Sequence, residues 1–221
     1  MRLIICCSKS WFKLDSEISN QHEVKYVLFK EKLSIAFLES FKPDFIFFPH
    51  WNWIVEKEIH ENYNCIVFHT APLPYGRGGS PIQNLILNGF KESPVCAIKM
   101  TDKLDEGPIY SSYSINLEGN LNSIFSRIND AVNYLISFII LKNPNPIQQE
   151  GEPHIFKRLN KRDNEISVGL KLEEIYDRIR MVDHPDYQSA FIMYGDIKIE
   201  FNNAILKGDS MEVSCVIRKL K

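Results

Sequence analysis

Apolar residues fall along this chain in three ways: short unbroken runs near the N-terminus, helical stripes in the middle, and alternation near the end. Residues 2–7 (RLIICC), 44–48 (DFIFF) and 64–68 (NCIVF) are runs of the length expected for strands covered on both faces. Residues 23–29 (EVKYVLF), 94–100 and 108–115 read as further strands. The spacing predicts a helix at about 30–41, with Leu33, Phe37 and Leu38 on one face, and a short helix at 54–61. Ser80-Pro81 predicts an N-cap followed by a first-turn proline, and Gly89 the C′ glycine of the same helix. A long helix is expected over 121–141, striped by Leu121, Ile124, Phe125, Ile128, Val132 and Leu135. Strands alternating with helices predict an α/β, Rossmann-like fold, a largely parallel sheet with helices on both faces.

Near 143–165 the texture changes. NPNPIQQEGEP reads as a polar, proline-rich connector and KRLNKRD (157–163) as a solvated stretch. An amphipathic helix at 172–181 and strands at 189–194, 197–206 and 211–218 follow, with hairpins around Gly195-Asp196 and Gly208-Asp209. The expected division is a main domain over 1–150 and a small helix-plus-β segment over 151–221. That segment could pack on the first domain or make a homodimer.

Composition narrows the function classes. A formal net charge of −2 over 221 residues gives no electrostatic footprint for a nucleic acid or an anionic membrane. The cysteines are Cys6, Cys7, Cys65, Cys96 and Cys215, without CxxC or Cys/His spacing, and four sit in apolar runs. This reads as a reducing, cytoplasmic compartment with no metal site. The N-terminal apolar run is too short for a signal peptide, and the apolar stretch at 132–141 too short to span a bilayer.

The chemistry-bearing candidates are His69 and Asp105. His69 ends an apolar strand and opens the loop of FHTAPLPYGRGGSPIQ (68–83); Asp105 lies in the turn MTDKLDEGP (100–108). A histidine at a strand's C-terminal end with an aspartate on a neighbouring turn suits a general base and its orienter, and ligands bind at that edge of an open α/β sheet. The GRGG run (76–79) is neither GxGxxG nor a P-loop. It reads equally as a mobile turn or, beside a helix N-terminus and Arg77, as an anion cradle. In PHWNWI (49–54), Trp51 and Trp53 form a packed corner or a wall for a flat ligand.

Taken together, His69, Leu73, Pro74, Arg77, Gly78, Pro81 and Ile82, then Met100, Leu104, Asp105, Gly107 and Pro108, resemble the folate-dependent formyltransferase family. The resemblance covers about residues 1–120. The stretch IYDRIRMVDHPDYQSAF (175–191) looks like the start of the C-terminal segment of tRNA-directed and sugar-directed members. The loop variant is most similar to short sugar N-formyltransferases of the PseJ type, from pseudaminic-acid pathways. The resemblance implies formyl transfer from N10-formyltetrahydrofolate to the amine of a nucleotide-linked 4-amino-4,6-dideoxysugar. His69 and Asp105 would be catalytic. The pterin would meet Phe48, Pro49, Trp51, Met100, Leu104 and Gly107, and the nucleotide-sugar Arg77, Gly78 and Gly79. Val67 stands where the family carries an asparagine that helps hold the formyl oxygen. Asn84, Gln83 or Asn52 would replace it, Asn84 being the first candidate, or activity has been lost. The alternatives are a glycinamide-ribonucleotide-type or other small-amine formyltransferase, and a non-catalytic folate-binding protein. A tRNA-directed enzyme is disfavoured by length and acidic balance.

Overall fold

A computed structural model describes residues 1–220. Its strands are β1 (Arg2–Cys7), β2 (Glu23–Val27), β3 (Phe45–His50), β4 (Cys65–Thr70), β5 (Tyr75–Gly78), β6 (Glu92–Lys99), β7 (Ile109–Asn116), β8 (His154–Phe156), β9 (Ala190–Tyr194), β10 (Ile197–Lys207) and β11 (Ser210–Lys219). The α-helices are α1 (Ser16–Gln21), α2 (Ile35–Phe41), α3 (Lys57–Asn62), α4 (Pro81–Leu87), α5 (Leu121–Lys142) and α6 (Leu172–Arg180).

A six-stranded sheet in the order β2-β1-β3-β4-β6-β7 organises the first of two compact units. Strands β2, β1, β3 and β4 pair in parallel, and β6 joins β4 antiparallel. The sheet is therefore mixed, with its parallel part at the N-terminal end of the chain. The continuous apolar runs are buried as their composition requires: Leu3, Ile4, Ile5, Ile46, Phe47, Phe48 and Ile66 have no exposed surface. Because β1 lies between β2 and β3, the chain leaves it first to one side and then to the other. That is a topological switch point, the place where open α/β sheets bind ligands.

The second unit comprises Gly79–Glu92, Asn116–Ile124 and Phe156–Lys221. The three-stranded antiparallel sheet β11-β10-β9 belongs to it, with the turns at Gly195 (φ 59°) and Gly208 (φ 55°) where the hairpins are expected. Helix α6 packs on β10, and its buried Arg180 donates to the carbonyls of Leu117 and Gly119 while pairing with Asp177.

Four local expectations change. Ser80 adopts φ 51° and makes no side-chain cap; its hydroxyl instead accepts from the Leu159 N–H. Helix α1, too short and too polar to show a stripe, lies in a stretch where no element is expected. The 143–165 connector is not a plain linker: β8 pairs with β5, and Ile147 exchanges two backbone hydrogen bonds with Ile109. Finally, α5 has 22 residues and is long and apolar enough by length and composition to cross a membrane. Its stripe from Ile124 through Leu135 is nevertheless buried within the protein, as in a core helix.

Candidate active site

His69 is the penultimate residue of β4, a strand buried along nearly its whole length, and 7% of its side chain is exposed. Val67, two residues earlier, shares that face of the strand and packs against the apolar cluster around Phe48. Asp105 sits in the turn between β6 and β7 with 9% of its side chain exposed. The two are brought together: Nδ1 of His69 lies 3.5 Å from Oδ2 of Asp105. The other ring nitrogen, Nε2, is 2.7 Å from the carbonyl oxygen of Gly76. Both nitrogens thus face oxygen. A ring carrying a proton on each satisfies both contacts, and a ring carrying one satisfies one. Asp105 is fixed from a third side by the Gly78 N–H, which donates to Oδ2 at 2.9 Å.

The glycine loop therefore works differently from an anion cradle. The Gly78 N–H serves the Asp105 carboxylate, and the Gly79 N–H donates to Phe156 O at 3.3 Å. A Cβ on Gly79 would lie 2.5 Å from Arg158 Cβ, so glycine is needed there for close chain approach. Arg77 turns its fork onto Gln149, with Nε and Nη2 at 3.0 and 2.8 Å from Oε1. Its Nη1 lies 3.4 Å from Glu106 Oε1. These three residues brace the loop in this arrangement rather than offering free donors to a phosphate.

Asn84, within the second unit, donates its amide to the carbonyls of Gly79, Ser80 and Lys157 at 2.9 to 3.1 Å. Two amide protons shared among three acceptors leave none over for an oxyanion. Gln83 is buried and donates to Met181 O.

The residues expected to meet a pterin divide. Phe48 is fully buried within the core and Pro49 is buried, so neither presents a surface. Gly107 is also buried, and a Cβ there would fall 1.7 Å from Lys99 O; the glycine permits the turn rather than a ligand contact. Trp51 and Met100 are partly buried against the same cluster as Phe48. Trp53 meets Trp51 edge to face at 4.8 Å, and Leu104 is 73% exposed. The buried Nε1 of Trp51 has no protein partner. An apolar corner with an indole N–H still to be satisfied fits a flat heterocycle with ring acceptors.

Two features escape sequence reasoning. Gln149, inside the supposed connector, donates from Nε2 to the carbonyls of Asp105 and Gly107, each at 2.8 Å. The second is the pair Ser8–His50 at the switch point, with Ser8 Oγ 3.1 Å from Nδ1 and the Ser8 N–H donating to His50 O at 2.8 Å. Only the strand order places those two side by side. Among the described residues no cluster of His, Cys, Asp and Glu could hold a metal ion.

Comparison with known proteins bears on the family and the fold. A formyl transferase family model matches residues 16–133, and a model described as the methionyl-tRNA formyltransferase C-terminal domain matches 161–218. The chain is 33% identical over 153 residues to the methionyl-tRNA formyltransferase of Campylobacter lari, covering 67% of this chain and 50% of that one. It spans about half the length of the curated relatives it matches. A structure described as methionyl-tRNA formyltransferase from Clostridium thermocellum superposes with a TM-score of 0.94 at 38% identity, covering 99% of both chains. A 4-N formyltransferase from Francisella tularensis, at 18% identity and TM-score 0.67 over 87% of this chain and 92% of that one, shares the fold.

Proposed function

We propose, since this chain belongs to the formyl transferase family, that it moves the formyl group of N10-formyltetrahydrofolate to an amine, with His69 and Asp105 as the reacting pair. The observation that carries this reading is their buried contact, 3.5 Å between Nδ1 and Oδ2, at the C-terminal end of β4. Bound formylfolate would supply the electrophilic formyl carbon, held against Trp51, Trp53 and Met100. Attack by a neutral amine puts negative charge on the formyl oxygen and leaves a surplus proton on nitrogen. His69 can answer either need. Its Nε2 meets a carbonyl oxygen already, that of Gly76, and the same donor direction suits a developing oxyanion. With Gly76 displaced, Nε2 can also accept the amine proton, while Asp105 takes the Nδ1–H and steadies the resulting imidazolium; breaking the bond between the formyl carbon and folate N10 would then release tetrahydrofolate, with the ring returning that proton to N10. Val67 offers no donor on that face, so the stabilising hydrogen bond falls to the ring or to a backbone N–H.

The acceptor we favour is a nucleotide-linked 4-amino-4,6-dideoxysugar. A net charge of −2 gives little phosphate-driven attraction for a polynucleotide, and a switch point such as that beside Ser8 and His50 is where open α/β sheets take small ligands. The second reading is methionyl-tRNA. It is favoured by the match of 161–218 to the C-terminal domain model and by the names of the curated relatives.

One assay separates them. The protein is incubated with N10-formyltetrahydrofolate and, in parallel, UDP- and dTDP-linked 4-amino-4,6-dideoxysugars, glycinamide ribonucleotide and methionyl-tRNA, and products are read by mass spectrometry. A formylated sugar supports the favoured acceptor, and formylmethionyl-tRNA the second. Folate binding without any product overturns the enzyme reading in favour of a non-catalytic folate binder.

A further inference from the structure

We propose that Gln149 is a positioning residue for formyl transfer, holding the 100–108 turn so that the Asp105 carboxylate meets His69. The proposal rests on the formyltransferase reading for its kinetic consequence, though its structural part stands by itself.

Every hydrogen-bonding position of the Gln149 amide is used. Nε2 donates to Asp105 O and Gly107 O at 2.8 Å each. Oε1 accepts from Arg77 Nε at 3.0 Å and Nη2 at 2.8 Å. Two protons and two lone pairs therefore all find partners. The carbonyls that it fixes are those of Asp105 itself and of the residue two beyond, so the amide spans the turn that aims the carboxylate.

That turn needs fixing. Asp105 has φ 55°, in the left-handed region that a residue with a Cβ adopts at a cost. The Gly78 N–H holds the carboxylate from one side. Gln149 holds the backbone from the other, and Arg77, the neighbour of Gly78 on β5, holds Gln149. One short strand thus restrains Asp105 twice, through its side chain and through its main chain. Gln149 is itself anchored, because Ile147 exchanges backbone hydrogen bonds with Ile109 at 2.7 and 2.9 Å and β8 pairs with β5.

Glutamine is the side chain that this place requires. Glutamate would still accept from Arg77 but would set oxygen against two carbonyl oxygens. Asparagine is a methylene shorter, and methionine, close in shape, makes none of the four bonds. A small displacement of Asp105 relative to His69 is enough to cost about ten- to a hundredfold in rate.

The test uses Gln149→Met and Gln149→Glu in the full chain, with two readouts: steady-state kinetics and the ring 15N chemical shifts of His69 by NMR. We expect kcat to fall about ten- to a hundredfold in both, with KM for formylfolate and for the acceptor moved less than about threefold. The Nδ1 signal of His69 should shift in both variants, including Gln149→Glu, which keeps its Arg77 partner. A folded variant with unchanged kcat and unchanged His69 ring shifts overturns the proposal. A lowered melting temperature with unchanged ring shifts also overturns it, because that is what a merely structural amide would give. If the wild-type protein formylates no acceptor, the formyl-transfer reading fails alone and the ring shifts still decide whether Gln149 positions Asp105.

Discussion

Arg77 and Gln149 form a two-point contact, with Nε and Nη2 of the guanidinium both reaching Oε1, at 3.0 and 2.8 Å. The arginine of the glycine loop is thereby a brace within its own unit. Lysine carries the charge without the planar fork and cannot reproduce the pair of bonds. Arg77→Lys should lower unfolding stability by about 1–2 kcal/mol, seen as a lower urea midpoint, with acceptor KM nearly unchanged. A large rise in acceptor KM at unaltered stability would show instead that Arg77 contacts the acceptor.

Gly107 gives the sharpest stability prediction. A Cβ there would sit 1.7 Å from the Lys99 carbonyl oxygen, a backbone atom that cannot swing aside. Gly107→Ala should cost more than about 4 kcal/mol or prevent folding. Gly169→Ala, where a Cβ meets nothing within 4 Å but φ is +90°, should cost much less. Thermal melts of the pair check the contrast, and equal melting temperatures would contradict it.

The thiols should divide four to one. Cys6, Cys7, Cys65 and Cys96 are buried and Cys215 on β11 is exposed. A thiol-reactive chromophore should titrate one cysteine rapidly in the native protein and the rest only on unfolding. Cys215→Ser should abolish the fast phase, and more than one fast equivalent in the native wild type would be at odds with the fold.

Burial also predicts a loss of stability at high pH. It pushes the Cys65 thiol up to about 12 and that of Cys96 to about 11, against an ordinary value of 9.0. Above pH 9 the unfolded chain releases these protons while the folded chain keeps them. Their contribution is therefore complete below that pH and is lost as pH rises toward the folded values, at up to about 1.4 kcal/mol per pH unit for each thiol. Cys65→Ala should flatten the fall in urea midpoint between pH 9 and 11 relative to wild type. Parallel curves would mean that the thiol is not held neutral.

The strands were legible because burial dictates their composition. Ile4, Phe47 and Ile66 lie in unbroken apolar runs, which only a covered strand of that length tolerates, and the glycines at 195 and 208 mark turns that need positive φ. His69 and Asp105 could be singled out from their places at a strand end and in a glycine-closed turn. Phe48 marks the limit of the resemblance, which implies a pterin contact there although the core takes the whole surface of the residue. Gly78 and Arg77 look like phosphate donors in a linear reading, because the partners that occupy them, Asp105 and Gln149, are 27 and 72 residues away. Gln149 was invisible for that reason too. A glutamine in a polar, proline-rich stretch carries no periodic signal, and its role exists only once β5 and β8 pair.

Single-turnover formyl transfer by Asp105→Asn, compared with wild type, tests the central claim most directly. Asparagine keeps an acceptor for the Gly78 N–H and nearly the same shape, but it removes the charge beside His69 Nδ1. With melting temperature held within a few degrees, the rate constant should fall by about a hundredfold or more. A rate within about twofold of wild type in a folded Asp105→Asn protein would contradict His69 and Asp105 as the formyl-transfer pair.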